Sequence, residues 1–312
     1  MNRRPLGRSE LVIEPLVLGG NVFGWTVDEA RGFDILDAYV DAGFSAIDTA
    51  EGYPNWVAGN PAGMSETIIG KWLKARGNRD KVHIFTKVNS GKKPGGLKAD
   101  AIKASIEASL SRLQTDYVDL YFSHWPDPEA GHEETLEAYD LLIRAGKVRT
   151  IGASNYSAQM MAEAQQTAIV KSLQRYEVTQ PRYNLYDRAE FDALRPYLIG
   201  NEVGSIVYSS LASGFLTGKY RSQDDLGQSP RGRGAGQYLN AKGLSILGAL
   251  DQVAAEMDAT PAEVALAWLV AQKGVSAPIA SASSFEQVNS LARGVRLNLS
   301  EEAEKLLTDS GK

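Results

Sequence analysis

Short apolar runs alternate with longer stretches of helical periodicity along most of the chain. Between 28 and 42, Phe33, Ile35, Leu36, Ala38, Tyr39 and Val40 fall on one helical face, behind Asp28 as N-cap and ahead of Gly43 as the stop. The run 44–47 then reads as a buried strand that ends at Asp48. The alternation repeats with a helix over 66–75 capped by Ser65, a strand over 82–86 ending at Lys87 and a helix over 100–113. A strand over 116–122 ending at His124, a helix over 133–145 and a strand over 148–151 follow. The next units are a helix from 158 to about 165, a strand near 176–179 that leads to Gln180, a helix over 189–198 and a strand over 205–208. Residues 211–238 predict a long loop rich in Gly, Ser and Arg. Helices over 241–257 and 261–273 come next, the second capped by Thr260 with Pro261 in its first turn. A last strand over 277–280 precedes helices that start near Ser284 and Ser300. Ahead of all this, 6–20 reads as a hairpin, 6–9 then 11–17, closing in Gly19-Gly20. Paired glycines at a strand end let a ligand approach the backbone, and a plain tight turn accounts for them equally.

The count is eight strand–helix units with short, continuously apolar strands, the pattern of parallel strands buried on both faces. A doubly wound sheet would normally carry G-x-G-x-x-G after its first strand, and that spacing is missing. The expected fold is therefore α/β, a (β/α)8 TIM barrel with an N-terminal β-hairpin and extra C-terminal helices, with 1–312 as a single domain. Barrels of this kind place their active sites at the C-terminal strand ends. Here those ends deliver Asp48, Lys87, His124 and Ser154-Asn155.

Composition narrows the function. Hydrophobic residues make up 43% and charged residues 23% of the 312, as in an ordinary globular protein. A net charge of −5 gives no basic footprint for nucleic acid or an anionic membrane. No run approaches the ~18 apolar residues of a membrane span. The N-terminal stretch lacks an unbroken apolar segment, so cytoplasm is the default location. There is no cysteine, which excludes disulfides and a thiol nucleophile. The three histidines, His83, His124 and His132, show no metal-binding spacing, and no metal is expected.

Asp48, Tyr53, Lys87 and His124 suggest a chemistry of their own. A free tyrosine is a poor acid at neutral pH, but an adjacent ammonium stabilises its phenolate. Lys87 would supply that charge, and Asp48 would offset the cost of burying the lysine. Lowering the phenol pKa by ~2 units corresponds to about 2.7 kcal/mol, within reach of one close contact. Tyr53 then serves as a general acid and His124 as a hydrogen-bond donor to a carbonyl oxygen. Each residue taken alone has a structural reading: a solvated ion pair, a packed tyrosine, a satisfied interior histidine. Their joint occurrence at and just beyond the ends of strands two, three and four is what favours a site.

At these positions the chain closely resembles the aldo-keto reductase superfamily. The matching segments are Gly43-Phe44-Ser45-Ala46-Ile47-Asp48-Thr49-Ala50-Glu51-Gly52-Tyr53, Phe85-Thr86-Lys87-Val88, and Val118-Asp119-Leu120-Tyr121-Phe122-Ser123-His124-Trp125-Pro126-Asp127. Similarity continues through Lys147-Val148-Arg149-Thr150-Ile151-Gly152-Ala153-Ser154-Asn155-Tyr156, Gln180 with Tyr183-Asn184, Tyr208-Ser209-Ser210-Leu211, and Gly214-Phe215-Leu216-Thr217-Gly218-Lys219. The resemblance implies a barrel that binds an extended nicotinamide cofactor and passes hydride to an aldehyde or ketone, or back from an alcohol. It implies Tyr53 as proton donor, Lys87 and Asp48 as its tuning pair, and His124 as the carbonyl-orienting group. Ser154, Asn155 and Gln180 would bind the carboxamide, and Tyr208 would stack on the nicotinamide ring. Ser209, Leu211, Gly214, Lys219, Ser281, Ser283 and Gln287 complete the implied cofactor set.

Two departures stand out. The link 54–64 looks longer than in the family, and it brings Trp56, which with Trp25 and Trp125 is expected to cover the substrate pocket. Gln287 stands where the family often has an arginine for the adenosine 2′-phosphate. The hydroxyls of 281–284 and the following helix N-terminus can still hold phosphate, and Lys219 or an arginine of the 221–233 loop could contribute; the resemblance favours NADP(H), and NAD(H) is credible. Two other functions fit a barrel: a catalytically silent, redox-sensing nicotinamide-binding subunit, and a hydrolase working with Asp48 and Glu51. The hydrolase leaves Lys87 unexplained.

Overall fold

The computed structural model describes residues 2–312. Met1, the first residue of the expected domain, lies outside them. Arg4–Pro5 (β1) and Val12–Ile13 (β2) form an antiparallel hairpin. Eight parallel strands close into a barrel: Val17–Gly19 (β3), Ala46–Asp48 (β4), His83–Val88 (β5), Val118–Ser123 (β6), Val148–Ser154 (β7), Val178–Gln180 (β8), Gly204–Val207 (β9) and Ala277–Ala280 (β10). The ring order is β10-β3-β4-β5-β6-β7-β8-β9. The expected hairpin of 11–17 is thus divided, with β2 pairing back on β1 and β3 opening the barrel.

The helices of the outer layer are Glu29–Asp41 (α1), Met64–Arg76 (α2), Ala99–Leu113 (α3), His132–Arg144 (α4), Ala158–Lys171 (α5) and Ala189–Gly200 (α6). After β9 come Gly232–Ala235 (α7), Ala241–Glu256 (α8) and Pro261–Ala271 (α9), and after β10 Phe285–Gly294 (α10) and Glu301–Ser310 (α11). Asp28, Thr260, Ser284 and Ser300 cap their helices through side-chain acceptors, and Thr260 forms a reciprocal box with Glu263. Each such cap stabilises its helix by about 1 kcal/mol.

Ser65 is not the cap of α2. It lies inside the helix, where its hydroxyl donates to Gly20 O (2.8 Å) and accepts from Thr49 (2.8 Å), so it ties α2 to the strand ends beside it. Helix α5 runs past 165 to Lys171, because Ala168 continues the buried stripe of Met161 and Ala164.

Side chains from alternate strand positions, including Val17, Ala46, Phe85, Phe122, Val178, Ile206 and Ile279, fill the barrel, and Leu6, Leu11 and Ile13 of the hairpin plug its N-terminal end. Gly7 allows that plug to seat. A Cβ there would come within 2.2 Å of Glu177 O, and its φ of +64° is left-handed. The opposite end stays open, and strand register decides what gathers there. Gly19 pairs with Asp48, Lys87 with Phe122, Val88 with Ser123 and Ser154 with Gln180, which levels the C-terminal residues of neighbouring strands around one mouth.

Candidate active site

That mouth is a cavity of ≈ 1140 Å³ lined by Asp48, Tyr53, His124, Ser154, Asn155, Gln180 and Tyr208, and extended by the loops after β9 and β10. Lys87, 0% exposed, does not line it directly but lies behind Asp48 and Tyr53, which do. Lys87 Nζ donates to Asp48 Oδ2 (2.6 Å) and to Thr49 O (2.7 Å), while Gln180 Nε2 donates to Asp48 Oδ1 (2.9 Å). Burial raises the Asp48 carboxyl and lowers the Lys87 ammonium, and their contact opposes both shifts. A second buried carboxylate backs the pair: Glu66 of α2 accepts from Thr86 and from Arg112 Nε (2.7 Å).

Tyr53 lines the cavity with the Lys87 ammonium 4.9 Å from its ring centroid. Its phenol departs from the expectation. Burial first, then the charges of Asp48 and Tyr208, push it well above the ordinary tyrosine value rather than below it. Lys87 does not offset the burial, because it faces Asp48 at contact distance and the tyrosine only across the ring. The ground-state phenol therefore holds its proton, and Lys87 is placed to stabilise the phenolate once the proton leaves.

His124 meets Tyr53 edge-on, with ring centroids 5.7 Å apart. Burial, with the charges of Lys87 and Lys92, holds its imidazole well below the ordinary histidine value, so it is neutral at pH 7. Its Nδ1 lies 2.9 Å from Ser90 Oγ, and its carbonyl accepts from Asn155 Nδ2 (2.9 Å). The Ser90 N–H donates to Glu51 Oε1 (3.1 Å), and Glu51 also takes the Ser105 hydroxyl. Ser90 was missed by sequence reasoning.

The residues expected at the carboxamide bind one another. Ser154 Oγ donates to Gln180 O (2.7 Å), Asn155 Nδ2 donates to Ser154 Oγ (3.0 Å), and Tyr208 donates to Asn155 Oδ1 (2.8 Å). Asn155 adopts φ 62°, a left-handed backbone that asparagine tolerates well. Ser209, Leu211, Gly214, Lys219, Ser281, Ser283 and Gln287 all line the same cavity. Gln287 Oε1 accepts from Ser283 N (2.8 Å) and Ser283 Oγ (3.1 Å), which turns its amide NH2 outward as a donor.

The sequence offers an arginine of the 221–233 loop for phosphate without specifying which, because that loop has no periodicity to fix a side chain's direction; Arg231 and Arg233 are the two that line the cavity. Arg231 is informative. Its Nη2 donates to Asn21 Oδ1 (3.2 Å), its guanidinium lies 5.5 Å from the Trp25 ring centroid, and burial lowers its pKa without a carboxylate to offset it. A desolvated cation facing a cavity together with Lys219, Ser281 and Ser283 fits a phosphate-bearing cofactor.

The tryptophans divide. Trp25 and Trp125 line the cavity. Trp56, 46% exposed and outside the lining, is edge-on to Trp25 (5.7 Å) and to Tyr53 (5.7 Å), on a link that Asn60 ties to Gly24 O (2.6 Å). It reaches the cavity through those two rings rather than directly. Among the described residues no cluster of His, Asp and Glu has metal-binding geometry, and no helix is long and apolar enough to cross a membrane.

Known proteins give this geometry a context. The chain is 34% identical over 304 residues to "Aldo-keto reductase YhdN" of Bacillus subtilis, covering 92% of this chain and 85% of that protein. It is 34% identical over 314 residues to "Uncharacterized oxidoreductase YrpG" of the same organism, covering 97% and 94%. It is also 35% identical over 306 residues to "Putative voltage-gated potassium channel subunit beta" of Schizosaccharomyces pombe, covering 91% and 85%. The model of the aldo/keto reductase family matches residues 15–310, the entire barrel from its first strand, and this chain is an oxidoreductase of that family.

Proposed function

We propose that the protein transfers hydride between a nicotinamide cofactor, NADPH in preference to NADH, and a small aldehyde or ketone, with Tyr53 as proton donor. The observation that carries this reading is the meeting of the Tyr53 phenol, the buried Lys87–Asp48 pair and a neutral His124 around one cavity. The bound nicotinamide supplies or accepts the hydride. Neutral His124 donates a hydrogen bond to the carbonyl oxygen, which fixes its direction and draws electron density toward it. Tyr53 gives its proton to that oxygen as negative charge builds there, and the ammonium beneath the ring stabilises the phenolate that remains. Asp48 and Gln180 hold Lys87 in place for that step. Lys219, Arg231, Arg233, Ser281, Ser283 and Gln287 hold the cofactor phosphates; Ser154, Asn155, Gln180 and Tyr208 surround the nicotinamide. Trp25 and Trp125 bound the substrate, with Trp56 packed against Trp25 and Tyr53. The cytoplasm, with its supply of NADPH, is the compartment that suits this activity.

Tyr53→Phe tests the reading. Steady-state NADPH oxidation with a reactive aldehyde should fall by about three orders of magnitude, the middle of the range for removing a positioned acid, while NADPH affinity measured by protein fluorescence stays close to wild type. Near-normal turnover in this variant would sink the assignment. A second reading, a redox-sensing subunit of low turnover, draws on the relatives named as potassium-channel beta subunits. Multiple turnovers of aldehyde per protein molecule separate the two.

A further inference from the structure

An exposed lysine, Lys92, stands just outside the cavity lining on the far side from the cofactor cations. Lys219, Arg231 and Arg233 follow β9, whereas Lys92 follows β5, which stands opposite in the ring order. The loop that carries Lys92 is a built turn. Asn89, buried and left-handed at φ 66°, accepts the Lys92 N–H on its carbonyl (3.2 Å) and the Lys93 N–H on its Oδ1 (2.8 Å). The turn sets Lys92 Nζ 3.5 Å from the centroid of the Trp125 indole, which lines the cavity and stacks beside His124.

Carboxylates on the neighbouring elements are engaged elsewhere. Glu51 accepts from Ser90 and Ser105; Asp127 accepts from the N–H groups of Gly95, Leu97 and Glu129; Asp48 holds Lys87. Among the described residues Lys92 has an indole for a partner and no carboxylate. Its charge is also felt at the His124 imidazole, so the ammonium lies within electrostatic reach of the group assigned to the carbonyl.

We propose that Lys92 and Trp125 form a substrate subsite for an organic acid: a carbonyl compound whose carboxylate meets Lys92 while its apolar body lies on Trp125. The inference rests on the carbonyl-reductase reading for its site. The indole holds the Lys92 ammonium beside the cavity, so an incoming carboxylate meets a positioned cation and gains a charge-assisted hydrogen bond. A neutral ester of the same shape gains nothing from the charge.

The test compares 4-formylbenzoate with its methyl ester, which share ring and aldehyde. Wild-type kcat/KM should favour the acid by about ten-fold, the size of one such bond. Lys92→Gln should bring the ratio to within about two-fold of unity, and Lys92→Arg should retain the preference. A wild-type ratio at or below one, or a ratio unchanged by Lys92→Gln, would overturn the proposal. Tryptophan fluorescence with benzoate and with benzamide, at saturating NADP+, reads the subsite without turnover. Tighter binding of benzoate that Lys92→Gln abolishes supports it, and equal affinities overturn it. Should neither aldehyde turn over while benzoate is still selected through Lys92, the reductase reading fails and the anion subsite stands.

Discussion

Ser90 Oγ lies 2.9 Å from His124 Nδ1. Strand register brings them together: Val88 pairs with Ser123, His124 N donates to Val88 O (2.9 Å), and the chain beyond β5 then passes alongside the imidazole. The imidazole is neutral, so one ring nitrogen carries the proton and the other does not. Glu51 already accepts from the Ser90 N–H and the Ser105 hydroxyl, so we predict that the Ser90 hydroxyl donates to Nδ1 and that Nε2 carries the hydrogen. That is the tautomer needed to donate to a carbonyl oxygen. Ser90→Ala should lower kcat/KM for aldehyde reduction by about two- to ten-fold, the range of one net hydrogen bond. It should also mix the tautomers seen by 15N NMR. A wild-type imidazole protonated at Nδ1 would contradict this assignment.

The Asp48–Lys87 pair should show in stability as well as in rate. Lys87 is fully buried, and among the described residues Asp48 and the Thr49 carbonyl are its acceptors. Asp48→Ala leaves a buried ammonium without its counter-ion, which costs roughly 3–5 kcal/mol of unfolding free energy. The double variant Asp48→Ala, Lys87→Met should be more stable than Asp48→Ala alone, because the unpaired charge is gone. Urea unfolding of the three proteins measures the difference, and a double variant less stable than the single would argue against an ion pair at this position.

This pair was legible in the sequence, and Ser90 was not, for a physical reason. Asp48 ends a short apolar strand and Lys87 nearly ends the next; Asp48 pairs with Phe85, two residues before Lys87, an offset that the long lysine side chain spans, so neighbouring strand ends are enough to suggest their meeting. Ser90 sits beyond its strand in a loop of Gly, Lys and Pro, and its contact with His124 depends on which residue of β6 faces Val88. Ser65 illustrates the converse. Before Glu66 it looks like a helix cap, but Gly63, at φ 76°, begins the helix earlier, and the hydroxyl is used for tertiary bonds. The phenol of Tyr53 moved opposite to expectation because a charge expectation from sequence includes the lysine and omits the burial.

Those two shifts define a pH profile. Reduction requires a protonated Tyr53 and a neutral His124. Burial raises the tyrosine and lowers the histidine, so each titration moves away from neutrality, in opposite directions. For reduction, kcat/KM should therefore be flat from about pH 6 to about pH 8, with no acid limb at the ordinary histidine value near 6.5. Alcohol oxidation, which requires Tyr53 to accept a proton, should rise with pH over the same span. A half-loss of reduction centred near 6.5 in wild type, absent from His124→Gln, would show that the imidazole titrates normally.

Arg231 should trade apoprotein stability against cofactor affinity. Its guanidinium is desolvated at the cavity wall, with Asn21 Oδ1 as its hydrogen-bond partner and the Trp25 ring beside it, and nothing of opposite charge compensates. A cation in that position is a cost to the empty protein that only an anionic ligand relieves. Arg231→Met keeps the aliphatic packing and removes the charge. The variant without cofactor should melt at or above the wild-type temperature, whereas its NADPH dissociation constant should rise by about ten-fold or more, the loss of a charge-assisted contact. Differential scanning fluorimetry with and without NADPH reads both effects in one experiment: an equal or higher Tm for the empty variant and a smaller shift on adding cofactor. A variant that melts well below wild type yet shows the full cofactor shift would place Arg231 in the folding of the 211–238 loop instead of in phosphate binding.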